Sequence, residues 1–121
     1  MKPLRVLILA WFAISALAPA AFAEQVFDTP SFRIVIEHLC EEGCVSCDQI
    51  RYTGTSKKTK RSITLMGETV HTLEEDGVTP NKFLGYRFRS GKTVYFIGHL
   101  GVLEVTQDGR TLVHEKGRWV F

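Results

Sequence analysis

The sequence predicts an all-β fold, a small antiparallel β-barrel or sandwich of about seven short strands following an N-terminal signal helix that is cleaved. Three observations carry this expectation. Beyond residue 23 no long stretch repeats its apolar residues at helical spacing. Short segments rich in β-branched and aromatic residues alternate apolar with polar instead. Turn signals such as Ser90-Gly91 and Asp108-Gly109 separate them at close, regular intervals.

Taken in order, Phe32 to Glu37 is the first predicted strand, with Phe32, Ile34 and Ile36 on one face. Gln49 to Thr55 follows, with Ile50 and Tyr52 sharing a face. In Ser62 to Thr72, Ile63 and Leu65 alternate with Thr64 and Met66, and Gly67 marks a bulge or bend. Leu73 to Phe83 reads as a connection through Glu74-Glu75-Asp76-Gly77 and Thr79-Pro80-Asn81. A regular meander then runs through Leu84 to Arg89, Lys92 to Ile97, Val102 to Thr106 and Arg110 to His114. Leu84, Tyr86 and Phe88 are expected inward, and Arg87 and Arg89 outward. Tyr86, Phe88, Tyr95, Phe96 and Trp119 are expected to supply much of the core.

Met1 to Ala23 has the layout of a secretory signal peptide. Lys2 and Arg5 form a positive start, Val6 to Ala18 is apolar apart from Ser15, and Ala21-Phe22-Ala23 is an A-x-A cleavage site after Pro19. Cleavage leaves residues 24–121 as a single β domain with no stable membrane insertion. The apolar run is shorter than the ~20 residues of a spanning helix. Removing Lys2 and Arg5 takes the 15 basic residues to 13, matching the 13 acidic ones. A zero balance argues against nucleic acid as a partner, because such binding rests on phosphate neutralisation. The address is periplasmic, or secreted.

Export puts the three cysteines, Cys40, Cys44 and Cys47, in an oxidising compartment. They lie between the first two predicted strands. A Cys40–Cys47 bridge would clamp that hairpin, and Cys40–Cys44 and Cys44–Cys47 are the other pairings. One thiol is left over in each case. Two sharper chemistries use the same residues. Cys44-Val45-Ser46-Cys47 is a C-x-x-C of the redox kind, without the βαβ context that usually accompanies it. His38 with the three cysteines would offer four zinc ligands, all from one short loop. Neither is adopted, and no metal or other cofactor is expected.

The one charge run is Lys57-Lys58-Thr59-Lys60-Arg61, at a turn between two strands. Lys57, Lys58, Lys60 and Arg61 are the candidate contacts for a protein partner or an anionic envelope polymer. The acidic run Glu74-Glu75-Asp76 would offset this loop only if the fold brought the two together. His38, His71, His99 and His114 are scattered, and G-x-S-x-G, H-E-x-x-H and phosphate-cradling glycine loops are absent from the sequence. The chain is therefore read as a non-enzyme. The leading expectation is a small exported binding or inhibitor module that presents loops to an envelope or protein partner. The alternatives are a thiol-dependent redox or metal-handling protein, and a structural component of an envelope or secretion apparatus.

The stretch Ile50 to Leu65, with Tyr52-Thr53-Gly54 and Ile63-Thr64-Leu65, resembles the early hairpin of the small secreted inhibitors of c-type lysozyme found in Gram-negative envelopes. The resemblance is one of architecture and covers about half of the chain after the signal. It implies a short antiparallel barrel and an inhibitory function. That family's Ser-Gly-x-x-Tyr loop has no counterpart here. Leu84-Gly85-Tyr86 lacks the serine, and after Ser90-Gly91 the tyrosine, Tyr95, comes one place late. No site residue carries over.

Overall fold

The computed structural model describes residues 23–41 and 43–120. The predicted signal helix lies outside these residues, apart from Ala23. The described chain is all β. Nine strands follow one another: β1 (Ala23–Asp28), β2 (Phe32–His38), β3 (Ile50–Ser56), β4 (Ser62–Leu73), β5 (Pro80–Ser90), β6 (Thr93–Gly98), β7 (Val102–Gln107), β8 (Arg110–Lys116) and β9 (Arg118–Val120). All pairings are antiparallel and run in chain order, β8-β7-β6-β5-β4-β3-β2-β1, with β9 added on the far side of β1. The result is a nearly closed barrel.

Closure depends on the last eleven residues of the described chain. Up to Lys116 the chain pairs with β7 (Val102↔Lys116), and from Arg118 it pairs with β1 (Asp28↔Arg118, Phe27↔Trp119). Gly117 is the crossing point. Its N–H donates to the Gly101 carbonyl at 2.9 Å. A Cβ there would sit 2.5 Å from the Asp28 carbonyl oxygen and 2.8 Å from the Phe27 ring, so no other residue fits without moving β1. A second tie spans the same seam. Ser31, in the β1–β2 turn, donates its hydroxyl to Glu115 Oε2 at 2.6 Å and its N–H to Oε1 at 3.2 Å.

The inner face is the one the alternation predicts on most strands. Ile34, Ile36, Ile50, Tyr52, Tyr86, Phe88, Ile97, Leu103 and Val105 are buried, and Phe32, Leu65, Tyr95, Val113 and Trp119 pack against them. Gly67 is where β4 passes from β3 to β5, pairing with both Ile50 and Phe88. A Cβ on it would meet the Arg87 carbonyl oxygen at 2.1 Å, so the expected bend is a close approach of β4 to β5.

Four expectations are corrected. The strands number nine, not about seven, because Ala23–Asp28 and Arg118–Val120 are also strands. Each is short or lies next to the expected cleavage site; β1 pairs with the adjacent β2, and β9 is held by the distant β1. The connection expected over Leu73 to Phe83 shrinks to residues 74–79, since β4 and β5 form a long hairpin. Its turn is held by Asp76, whose carboxylate accepts from the Thr79 hydroxyl and from the N–H groups of Val78 and Thr79. Leu84 falls in a register shift between the pairs Val70↔Gly85 and His71↔Phe83 and is not a core residue. Phe96 lies on the outer face, between the buried-side residues Tyr95 and Ile97, and covers Gly85. Phe27, not among the expected core aromatics, is fully buried and packs at a tilt on Trp119 across the closure, with ring centroids 4.7 Å apart.

Gly117→Val should destabilise the protein by about 3 kcal/mol, through overpacking against β1 and loss of the strand crossing. Urea unfolding followed by tryptophan fluorescence measures this, because Trp119 reports on the closure itself.

Candidate ligand-binding site

An up-and-down meander sends alternate turns to opposite ends of the barrel. The β1–β2, β3–β4, β5–β6 and β7–β8 turns share one end. The β2–β3, β4–β5 and β6–β7 turns share the other. This sorts the charges. The first end carries Lys57, Lys58, Lys60 and Arg61 in the β3–β4 turn, Arg89 and Lys92 around the next turn, and Asp108 with Arg110 at the last. The second end carries Glu41 and Asp48 in the cysteine loop and Glu74, Glu75 and Asp76 in the β4–β5 turn, with Lys82 beside that turn. The acidic run therefore does not offset the basic one. All twelve residues of β4 lie between them.

The four predicted contact residues are not equivalent. Lys57 is tied down, with Nζ 3.0 Å from Asp28 Oδ1 and a hydrogen bond to the Thr29 carbonyl. Its role is to hold the turn against β1. Lys58, Lys60 and Arg61 are exposed. Lys60 adopts a left-handed conformation, φ 66°, which tightens the turn and brings the chain back into β4.

Beneath this basic end is a cavity of about 380 Å³. Its walls come from β2–β4 on one side and β6–β8 on the other, and Arg61 and Ser56 stand at its rim. Tyr52, Leu103 and Val105 form the buried part, and Tyr95 leans on Tyr52 with ring centroids 5.6 Å apart. Burial, and after it the neighbouring Tyr95, raise the Tyr52 phenol well above its ordinary range, so it stays a neutral donor. Ile63 and Leu112 also line the cavity, yet they are 43% and 51% exposed. Leu112 is the additional residue of a β-bulge, since Val113 pairs with Val105 and Thr111 with Thr106. The bulge turns two consecutive apolar side chains, Leu112 and Val113, onto the cavity.

The opposite end holds the cysteines and a second group of side chains. Cys40 and Cys47 form the disulfide, with Cα atoms 6.0 Å apart, and Cys44 is a free, exposed thiol. Of the three pairings open to the sequence, the one that clamps the β2–β3 hairpin is formed. The disulfide removes two of the four zinc ligands considered above, and Cys44 and Cys47 are not partners. His38 Nε2 lies 3.0 Å from the buried Tyr86 hydroxyl, which in turn donates to Gln25 Oε1 at 3.0 Å. Burial pushes the Tyr86 phenol up to about 12. Three of the scattered histidines are linked by this arrangement. His38 packs edge-on against Tyr86, and His71 and His99 approach Phe83, which itself packs on Tyr86. Among the described residues no three or more His, Cys, Asp or Glu side chains converge as a metal site. Also among these residues, no helix is long and apolar enough to cross a membrane.

Arg61 and the turn around it were thus legible as a charge run. The apolar residues of the cavity were legible only as inward-facing positions. Nothing in the alternation distinguishes an inward side chain that meets another from one that faces space. No family model, curated protein or solved structure matches this chain.

The thiol pattern predicts that unreduced mature protein takes up one alkylating group, at Cys44, and two more after reduction. Intact-mass spectrometry decides this, and a different first site of labelling would overturn the pairing. Reduction should cost about 2 kcal/mol of stability, as expected for so short a loop. The seam gives a pH dependence. The Ser31 hydroxyl holds the Glu115 carboxyl below its usual 4.5. A depressed carboxyl stabilises the fold above its unfolded value, and the contribution is lost as pH falls through the folded one. Glu115→Gln should therefore lower the urea midpoint at neutral pH, with the gap to the parent closing in acid.

Proposed function

We propose that this is a small exported binding module that docks its basic end on an anionic component of the cell envelope. The observation that carries this reading is the segregation of charge. A chain with no net charge after the signal segment gathers Lys58, Lys60, Arg61, Lys92 and Arg110 around one end of the barrel, against one acid in those turns, Asp108. The Cys40–Cys47 disulfide is compatible with an oxidising, exported location, and a periplasmic address follows from the signal-like segment. Between the two partner classes expected from the sequence, the charge pattern favours the anionic polymer over a protein. Stable protein interfaces centre on buried aromatic or arginine anchors, whereas this end offers separated cations on turns. Repeated anionic groups engage such cations one by one, and salt weakens each contact.

The mature protein should be retained on immobilised dextran sulfate at low ionic strength, should elute as salt rises, and should pass through neutral dextran. The combined variant Lys58→Ser, Lys60→Ser and Arg61→Ser should elute at markedly lower salt. Glu74→Ser with Glu75→Ser, at the other end, should not elute earlier than the parent. Equal retention of the parent and the triple variant would remove the basis of the proposal.

A further inference from the structure

We infer that the cavity under the basic end is a fatty-acid site, in which the alkyl chain enters between Ile63 and Leu112 and the carboxylate stays at Arg61. The headgroup half of this inference rests on the basic end being an anion-binding surface. The chain half stands on the cavity alone. The volume, about 380 Å³, falls within the ~300–1,000 Å³ of small-ligand sites and suits one alkyl chain rather than two. The walls are mainly apolar, from Ile63 and Leu112 at the mouth through Val113 and Phe32 to Leu103 and Val105, with Tyr52 and Tyr95 adding neutral aromatic surface. Apolar side chains left half exposed at a mouth gain by burial against a chain, and a bulge that aims two consecutive apolar residues into the opening adds to that surface.

The polar groups fix the orientation. Arg61 lies on the rim, with Lys58 and Lys60 in the same turn, and no acidic side chain lines the cavity. A guanidinium presents paired N–H donors that match the two oxygens of a carboxylate. A cationic head would meet like charge at the same place. The occupant is therefore an amphiphile with one chain and one acid, and the headgroup matches the same chemistry that draws the barrel end to anionic surfaces.

Isothermal titration of the mature protein with octanoate, decanoate and dodecanoate tests this, with dodecyl phosphate and dodecyltrimethylammonium as headgroup comparisons. Affinity should rise by about fourfold for each methylene added until the cavity is full. The trimethylammonium amphiphile should bind more weakly than dodecanoate by about tenfold or more. Ile63→Trp, at a partly exposed position, should abolish dodecanoate binding while leaving retention on dextran sulfate unchanged. Leu112→Asp serves the same purpose if the tryptophan disturbs β4. Arg61→Ser should weaken dodecanoate without removing the dependence on chain length. Absence of dodecanoate binding by a protein that still binds dextran sulfate would overturn the cavity assignment and leave the proposed function standing. Equal binding of the anionic and cationic amphiphiles would overturn the role of Arg61, and tighter binding of dodecyl phosphate would overturn the choice of a carboxylate.

Discussion

The structure depends on one strand changing partners. At Gly117 the chain leaves β7 and joins β1, which it can do only because nothing but hydrogen occupies the space beside the Asp28 carbonyl and the Phe27 ring. Without that crossing the sheet would remain open, with β1 and β8 as exposed edges available to other chains. With it, Phe27 and Trp119 pack at a tilt across the closure, and the core becomes continuous around the barrel. The Ser31–Glu115 contact fastens the same seam from outside.

Closure also explains the cavity. Strand β8 pairs with β7 on one side only, and β9 rather than β8 completes the pairing to β1. The early part of β8 pairs with β7 alone, and there Leu112, with Val113 beside the core, lines the cavity. The meander topology then places the β3–β4 turn over that space. A feature of backbone connectivity sets an apolar chamber beneath a cationic rim. The disulfide and the acidic turns lie at the other end, where Tyr86 ties His38 to Gln25.

The strands most readable in the sequence are those whose inner residues touch inner residues all along their length. Phe32 to Glu37 and Val102 to Thr106 alternate because their neighbours on both sides demand it, and they appear almost as expected. Strand β1 is hidden because it begins at the expected cleavage site, although it pairs with the adjacent β2, and β9, held only by the distant β1, is too short to show a period of two. Leu84 and Phe96 were misplaced for a related reason. A register shift beside Gly85 displaces Leu84 from the inner face, and the outer aromatic Phe96 gains cover from packing on that glycine.

The candidate site divides in the same way. Composition and spacing alone determined that the chain is β, that Cys40, Cys44 and Cys47 share one loop, and that Lys57 to Arg61 is a basic turn. Those properties are local, set by side-chain chemistry within a few residues. Tertiary structure alone decided that Lys57 belongs to Asp28, that Cys40 pairs with Cys47, that the acidic run lies at the far end, and that Arg61 stands over a cavity. The cysteine pairing follows the β2–β3 hairpin, and the others depend on which backbone lies alongside. The meander sets most of that arrangement, and contact of Phe27 with Trp119 and the room left at Gly117 close it into a barrel.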